Sequence, residues 1–201
     1  VEGEEEQGKR IARLAKEAGV QHFVYASVGS ADQDTGIPHF DNKYRVEETL
    51  RGLGFPSYVV LRPVFFMENL SSPWFKPAID EGNLAIGIEP DTRLQMIAVE
   101  DIGKYGRIAF EQHDELNGQA LDIAGDALTP LEAAAKLSEA AGREITHFQV
   151  PIEDVRSFSD DFATMLEWFD AVGYHADIEG NADRFGVEPT SFDEWVTTID
   201  W

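Results

Sequence analysis

Three polar residues near the start of the sequence, Ser27, His39 and Lys43, are of types that can act on a bound molecule. Lys43 is a compact cation with three N–H donors, although an ordinary exposed helix lysine would look the same. Histidine as a residue type can exchange a proton near neutral pH, so His39 is a candidate proton donor, or else a loop residue that caps the next helix. Ser27 ends an apolar run, where it either contacts a ligand at the edge of an α/β sheet or simply ends the strand.

The composition argues against thiol and metal sites. The sequence has no cysteine, which excludes thiol catalysis, disulfides and cysteine-based zinc sites. Its five histidines do not follow a metal-binding spacing, so we predict no metal site. Adjacent acids such as Asp160 and Asp161 are expected by chance in so acidic a chain.

The net charge argues against one class of partner. Sixteen Lys and Arg residues stand against 38 Asp and Glu residues, which gives a formal charge of −22. Such a surface repels phosphate backbones, so we expect no direct nucleic-acid partner. Because the acids are spread along the whole chain, we favour adaptation to high salt over an ordinary, well-solvated acidic protein.

Length and hydropathy indicate one soluble domain with a real core. The chain has 201 residues, 43% of them hydrophobic, and no run approaches the roughly 18 apolar residues of a membrane-spanning helix. We see no secretory leader, so the expectation is a cytoplasmic protein without a membrane partner.

The first 63 residues predict helix, strand, helix and strand in turn. Apolar residues at helical spacing end at Gly19, and residues 22–28 follow as a strand apolar on both faces. Asp41 is a plausible N-cap for the next helix, which Gly54 closes before a buried strand at 57–62. This alternation with short connections is typical of a doubly wound α/β fold.

The remaining segments alternate less regularly. Residues 65–80 predict an irregular helical segment near a cleft, and further strands are expected at 84–88, 94–99, 119–124 and 145–150. Asp101 is expected to cap one helix, and Thr129 with Glu132 forms a capping box for another. After Pro151 the pattern is all helical.

Several strings together resemble a known family. They are Gln7-Gly-Lys9, Glu17-Ala-Gly-Val-Gln-His-Phe-Val-Tyr-Ala-Ser-Val28, Thr35-Gly-Ile-Pro-His-Phe-Asp-Asn-Lys43, Leu61-Arg-Pro-Val-Phe-Phe-Met-Glu-Asn-Leu70 and Val99-Glu-Asp-Ile-Gly103. In this order they resemble the NmrA-like proteins, atypical short-chain dehydrogenase/reductases that bind NAD(P). The likeness covers nearly the whole chain and weakens after about residue 150.

The resemblance implies roles for the candidate residues. Lys43 would hydrogen-bond the nicotinamide ribose, but the tyrosine expected four residues earlier is His39 here, which leaves the proton-donating role open. Ser27 would hold a substrate carbonyl. The implied cofactor contacts, by resemblance, are Ser27, Val28, Lys43, Pro63, Val64, Phe65, Phe66 and Asn69.

One feature of the family is absent from this sequence. No glycine-rich turn follows a first strand, although such a turn normally cradles the pyrophosphate of a dinucleotide. The resemblance therefore implies an N-terminally truncated piece, in which the strand at 22–28 has an unpaired edge.

The combined prediction is a partial Rossmann-type α/β sheet with a smaller, mostly helical substrate lobe. The sheet portion is predicted at 1–64 and 92–125, and the lobe at 65–91 and 126–201. The predicted function is an NAD(P)H-dependent reductase of a small organic acceptor such as a quinone, with NADP favoured over NAD by family habit. The alternative is a non-catalytic NAD(P) redox sensor that regulates a protein partner.

Overall fold

The computed structural model describes residues 3–201, so the first two residues of the predicted sheet portion lie outside the described residues. The strands are β1 His22–Ala26, β2 Ser57–Pro63, β3 Phe65–Phe66, β4 Asn83–Ile86, β5 Leu94–Ile97, β6 Ala120–Ile123, β7 Asp126–Leu128 and β8 Thr146–Gln149. The α-helices are α1 Glu4–Glu17, α2 Pro38–Leu53, α3 Lys76–Asp80, α4 Val99–Glu111, α5 Pro130–Ala141, α6 Ile152–Phe158, α7 Asp160–Ala171, α8 Ile178–Phe185 and α9 Phe192–Val196. A 3-10 helix covers Met67–Ser71.

The main sheet confirms the predicted α/β class. Its strands are all parallel in the order β1-β2-β6, and helices cover both of its faces. Val60 of β2 packs in one apolar cluster with Leu50 of α2, whereas its neighbours Val59 and Leu61 join the larger core with Tyr105 of α4. Alternate residues of one buried strand thus supply both layers of core, as in doubly wound folds.

Two smaller sheets lie outside the main one. In the first, β5 pairs parallel with β3 and antiparallel with β7, so β5 belongs to this sheet and not to the main sheet that was expected to include it. In the second, β4 pairs parallel with β8. The chain after residue 151 is helical, as the sequence predicts, through α6, α7, α8 and α9.

Both expected aspartate caps are wrong. Helix α2 begins at Pro38 instead of after Asp41, since proline suits the first helical position and lacks the N–H that a cap would satisfy. The backbone N–H of His39 donates a hydrogen bond to the Asp161 carboxylate at 3.0 Å. Likewise, α4 begins at Val99, whose N–H lies 3.1 Å from the Glu68 carboxylate. The N-termini of α2 and α4 are therefore capped by carboxylates from distant segments of the chain.

Strand β1 is also shorter and more exposed than expected. It ends at Ala26, and its residues are half-buried or exposed because within residues 3–201 it pairs only with β2. No helix in residues 3–201 is both long and apolar enough to cross a membrane.

We predict that high salt stabilises this fold. At low ionic strength, the charge of −22 should destabilise the compact state by self-repulsion, which salt screens. For a chain of this size, each kcal/mol gained raises the melting midpoint by about 2–4 °C, so a rise of several degrees is expected between 0.1 and 3 M KCl. Calorimetric melts across that series measure it, and a flat or falling midpoint would contradict the prediction.

Candidate functional site

A cleft of about 1030 Å³ opens at the carboxyl ends of β1 and β2, and α6 and α7 form its far side. Carboxyl ends of parallel strands are where open α/β sheets bind ligands. The structure brings all the residues singled out from the sequence together along this cleft, namely Ser27, Val28, His39, Lys43, Pro63, Val64, Phe65, Phe66 and Asn69.

Lys43 reaches the cleft from the first half of α2. Its Nζ lies 2.8 Å from Oε1 of Glu4 in the first turn of α1, and both side chains are partly exposed. Glu4 also lines the cleft, although nothing in the sequence singled it out. The pair presents a donor and an acceptor side by side, which suits the hydroxyl groups of a sugar.

His39 is held against α7. Its Nδ1 lies 2.7 Å from Oδ2 of Asp161, at ion-pair distance but without the alignment of a hydrogen bond. The other oxygen of the same carboxylate accepts a hydrogen bond from the His39 backbone N–H. One acidic side chain thus fixes both the start of α2 and the position of the imidazole ring.

Ser27 is buried, and its hydroxyl is already engaged. Its Oγ donates to Oε1 of Glu47 at 2.6 Å, and Glu47 is completely buried. Arg62 holds the same carboxylate in a two-point contact, with Nε at 3.0 Å and Nη2 at 2.7 Å. The hydroxyl of Ser27 therefore keeps its lone pairs but not its proton free for a ligand.

The buried guanidinium of Arg62 joins several carboxylates under the site. Burial opposes its charge, but the bonds to Glu47 and Asp32 outweigh this effect and raise the pKa of Arg62. Desolvation raises the pKa of Asp122, despite the opposing bond from the Ser30 N–H and the nearby Arg62 charge. We did not predict this network from the sequence. An arginine inside an otherwise apolar strand could have indicated it, because a buried arginine requires buried acidic partners.

The other half of the cleft is apolar and aromatic. The turn from Pro63 to Phe66 forms one wall, with Phe66 36% exposed and Phe65 buried. Phe65 meets Phe75 and Phe169 edge-to-face, each with ring centroids 6.3 Å apart. Asn69 lies beside this wall on the 3-10 helix. A flat, uncharged ring of a bound molecule can therefore pack against this aromatic wall.

The helix ends that border the cleft carry their own negative charges. Glu4, Asp154 and Asp161 line the cleft, and each belongs to the first turn of its helix, α1, α6 and α7 respectively. A helix N-terminus binds phosphate through free N–H groups and a positive dipole, which these carboxylates offset. The described part of the chain thus offers no cradle for a pyrophosphate at this cleft.

The sequence matches a known protein family and a curated relative of low identity. A model of the NmrA-like family matches residues 1–196. An NmrA-like family domain-containing protein of Dictyostelium discoideum is 24% identical over the whole chain, which covers 71% of that relative.

Two solved structures share the fold. An NADPH-dependent quinone oxidoreductase of Escherichia coli, in complex with NADPH, is 23% identical with a TM-score of 0.77 over 96% of this chain and 70% of that one. NmrA, a negative transcriptional regulator in complex with NAD, is 20% identical with a TM-score of 0.76 over 98% of this chain and 70% of that one. The chain spans as little as 36% of the length of other curated relatives.

Proposed function

The chain belongs to the NmrA-like family, and from that premise we propose that its cleft receives the nicotinamide and adjoining ribose of NAD(P) in an NAD(P)H-dependent reduction of a small organic acceptor. The observation that carries the proposal is the position of Lys43. Its ammonium group lies beside an acceptor on Glu4, in a cleft at the carboxyl ends of parallel strands that aromatic side chains also line.

The residues present fit one half of the cofactor. Lys43 can donate to ribose hydroxyl groups, and the carboxylate of Glu4 can accept from them. The turn from Pro63 to Phe66 offers a flat apolar surface to a nicotinamide ring. The acids at the helix ends do not fit the pyrophosphate, so the proposal extends only to the nicotinamide-ribose half.

The chain's own residues then supply binding, orientation and a proton. When bound, a reduced nicotinamide would supply a hydride, which carries two electrons, and the acceptor needs one further proton to become the reduced product. His39 faces the cleft beside Asp161 and is the residue suited to hold that proton. The Ser27 hydroxyl donates its proton to Glu47, so in this arrangement it cannot also donate to a carbonyl of the acceptor, the role that the resemblance implied.

A redox sensor that regulates a protein partner is the second candidate. It is favoured by the histidine at position 39, where the resemblance calls for tyrosine, a residue that short-chain dehydrogenases use as the acid. Consumption of NADPH when a quinone is added separates the two functions. Turnover supports the reductase, and binding without turnover supports the sensor.

The proposal predicts a large effect of replacing Lys43 with alanine. Loss of a charge-assisted bond to the ribose should weaken the binding of reduced nicotinamide mononucleotide by about 1.5–3 kcal/mol, that is, tenfold or more. Ligand-observed NMR titration measures this affinity. Lys136→Ala is the matched control, because Lys136 pairs with exposed Asp193 and does not line the cleft. Equal affinity for both variants, with the fold intact, would remove Lys43 from the site.

A further inference from the structure

Two large aromatic side chains stand exposed at the cleft. Trp74, between the 3-10 helix and α3, is 75% exposed, and Phe158, the last residue of α6, is 71% exposed. Both line the cleft, and their ring centroids lie 5.5 Å apart at an interplanar angle of 59°. Exposed apolar surface of this size at a cleft is characteristic of a binding surface.

Neither ring is needed for the packing of the core. The core is built from other rings: Phe65 is in edge-to-face contact with both Phe75 and Phe169. Trp74 and Phe158 contact one another from two separate segments and leave most of their surface in solvent. A planar aromatic molecule could replace that contact by stacking on both rings, which would bury surface now exposed to water.

The charges around the cleft restrict what such a molecule can carry. The charged groups among its described lining residues are Glu4, Lys43, Asp154 and Asp161, and the other titratable groups are His39 and Tyr174, whose pKa burial raises so that it stays neutral. Glu4 balances Lys43, and Asp161 lies against His39, so the lining keeps a negative excess whether or not the histidine is protonated. A negatively charged group held within this lining is repelled, while a neutral or cationic one is not.

We propose that Trp74 and Phe158 form a stacking site for a planar aromatic acceptor, neutral or cationic, and that the acidic lining rejects anionic acceptors. This inference rests on the proposed function for the reaction that the acceptor undergoes. The binding itself does not depend on it, so it can be measured without a nicotinamide cofactor.

Equilibrium dialysis with 2-methyl-1,4-naphthoquinone tests the stacking site. Trp74→Ala and Phe158→Ala should each weaken binding about tenfold, equivalent to about 1.4 kcal/mol. Phe110→Ala is the matched control, since Phe110 is 53% exposed on α4 and does not line the cleft. All three side chains are largely exposed, so their loss should leave the fold intact. Equal binding by all variants, or no binding by the unaltered chain, would overturn the proposal.

A second experiment tests the charge rule, that is, the proposed rejection of anionic acceptors by the acidic lining. At low salt, 1,4-naphthoquinone-2-sulfonate should bind at least about tenfold more weakly than the neutral quinone, and 1 M KCl should narrow that gap by screening. Equal or tighter binding of the sulfonate overturns the charge rule. If the neutral quinone binds as expected but NADPH is not oxidised in its presence, the reductase function fails while the stacking site stands.

Discussion

Replacing Glu47 with alanine should lower the free energy of unfolding by about 3–5 kcal/mol, because it leaves the buried charge of Arg62 without its main partner. Glu47 is completely buried and Arg62 is 3% exposed, and two hydrogen bonds join them. Asp32 lies 2.8 Å from Arg62 and still balances part of its charge in the variant. We therefore expect the decrease in the free energy of unfolding to fall near the lower end of that range. Urea unfolding followed by circular dichroism measures the change.

Two further variants make that result specific to the ion pair. Glu48→Ala removes an exposed neighbour on the same helix and should change stability by no more than about 0.5 kcal/mol. The double variant Glu47→Leu with Arg62→Met removes both charges and should cost less than Glu47→Ala alone. If Glu47→Ala and Glu48→Ala have the same free energy of unfolding, the Glu47–Arg62 ion pair does not stabilise the fold.

The second large effect concerns NADPH. The chain of 201 residues should bind it with a Kd of about 0.1–10 mM, several decades weaker than micromolar affinity, because no described segment cradles the pyrophosphate. Glu4, Asp154 and Asp161 place carboxylates at the helix ends where phosphates would otherwise bind. A titration of NADPH fluorescence gives the value.

Reduced nicotinamide mononucleotide is the matched ligand for that titration. It carries the half of the cofactor that the cleft fits, so its affinity should lie within about threefold of that of NADPH, a difference of less than 1 kcal/mol. Micromolar binding of NADPH with much weaker binding of the mononucleotide would show that the chain does hold the pyrophosphate, contrary to the charges found at its helix ends.

Elements specified by neighbouring residues were predictable from the sequence. The Thr129–Glu132 capping box forms as expected, with reciprocal bonds of 3.1 and 2.8 Å, because both partners lie within one helical turn. Gly54 ends α2 in the left-handed conformation, with φ 64°, for the same local reason. The parallel pairing of β1 with β2 follows from short connections around an intervening helix.

Features that depend on distant segments were not predictable in this way. The carboxylates that cap α2 and α4 lie 122 and 31 residues from the groups they bind, so Asp41 and Asp101 were chosen from local pattern alone. Asp101 instead accepts bonds from the backbone N–H and the hydroxyl of Thr190. For the site, the resemblance supplied Lys43 and His39, but their acidic partners, Glu4 and Asp161 respectively, reach them only through tertiary folding.

Saturation-transfer difference NMR of NADPH shows directly whether this cleft receives the nicotinamide-ribose half of NAD(P). We expect the strongest transfer to protons of the nicotinamide ring and its ribose, weaker transfer to adenine, and loss of this pattern in Lys43→Ala but not in Lys136→Ala. Transfer that is strongest at adenine, or a pattern that Lys43→Ala leaves unchanged, would contradict this expectation.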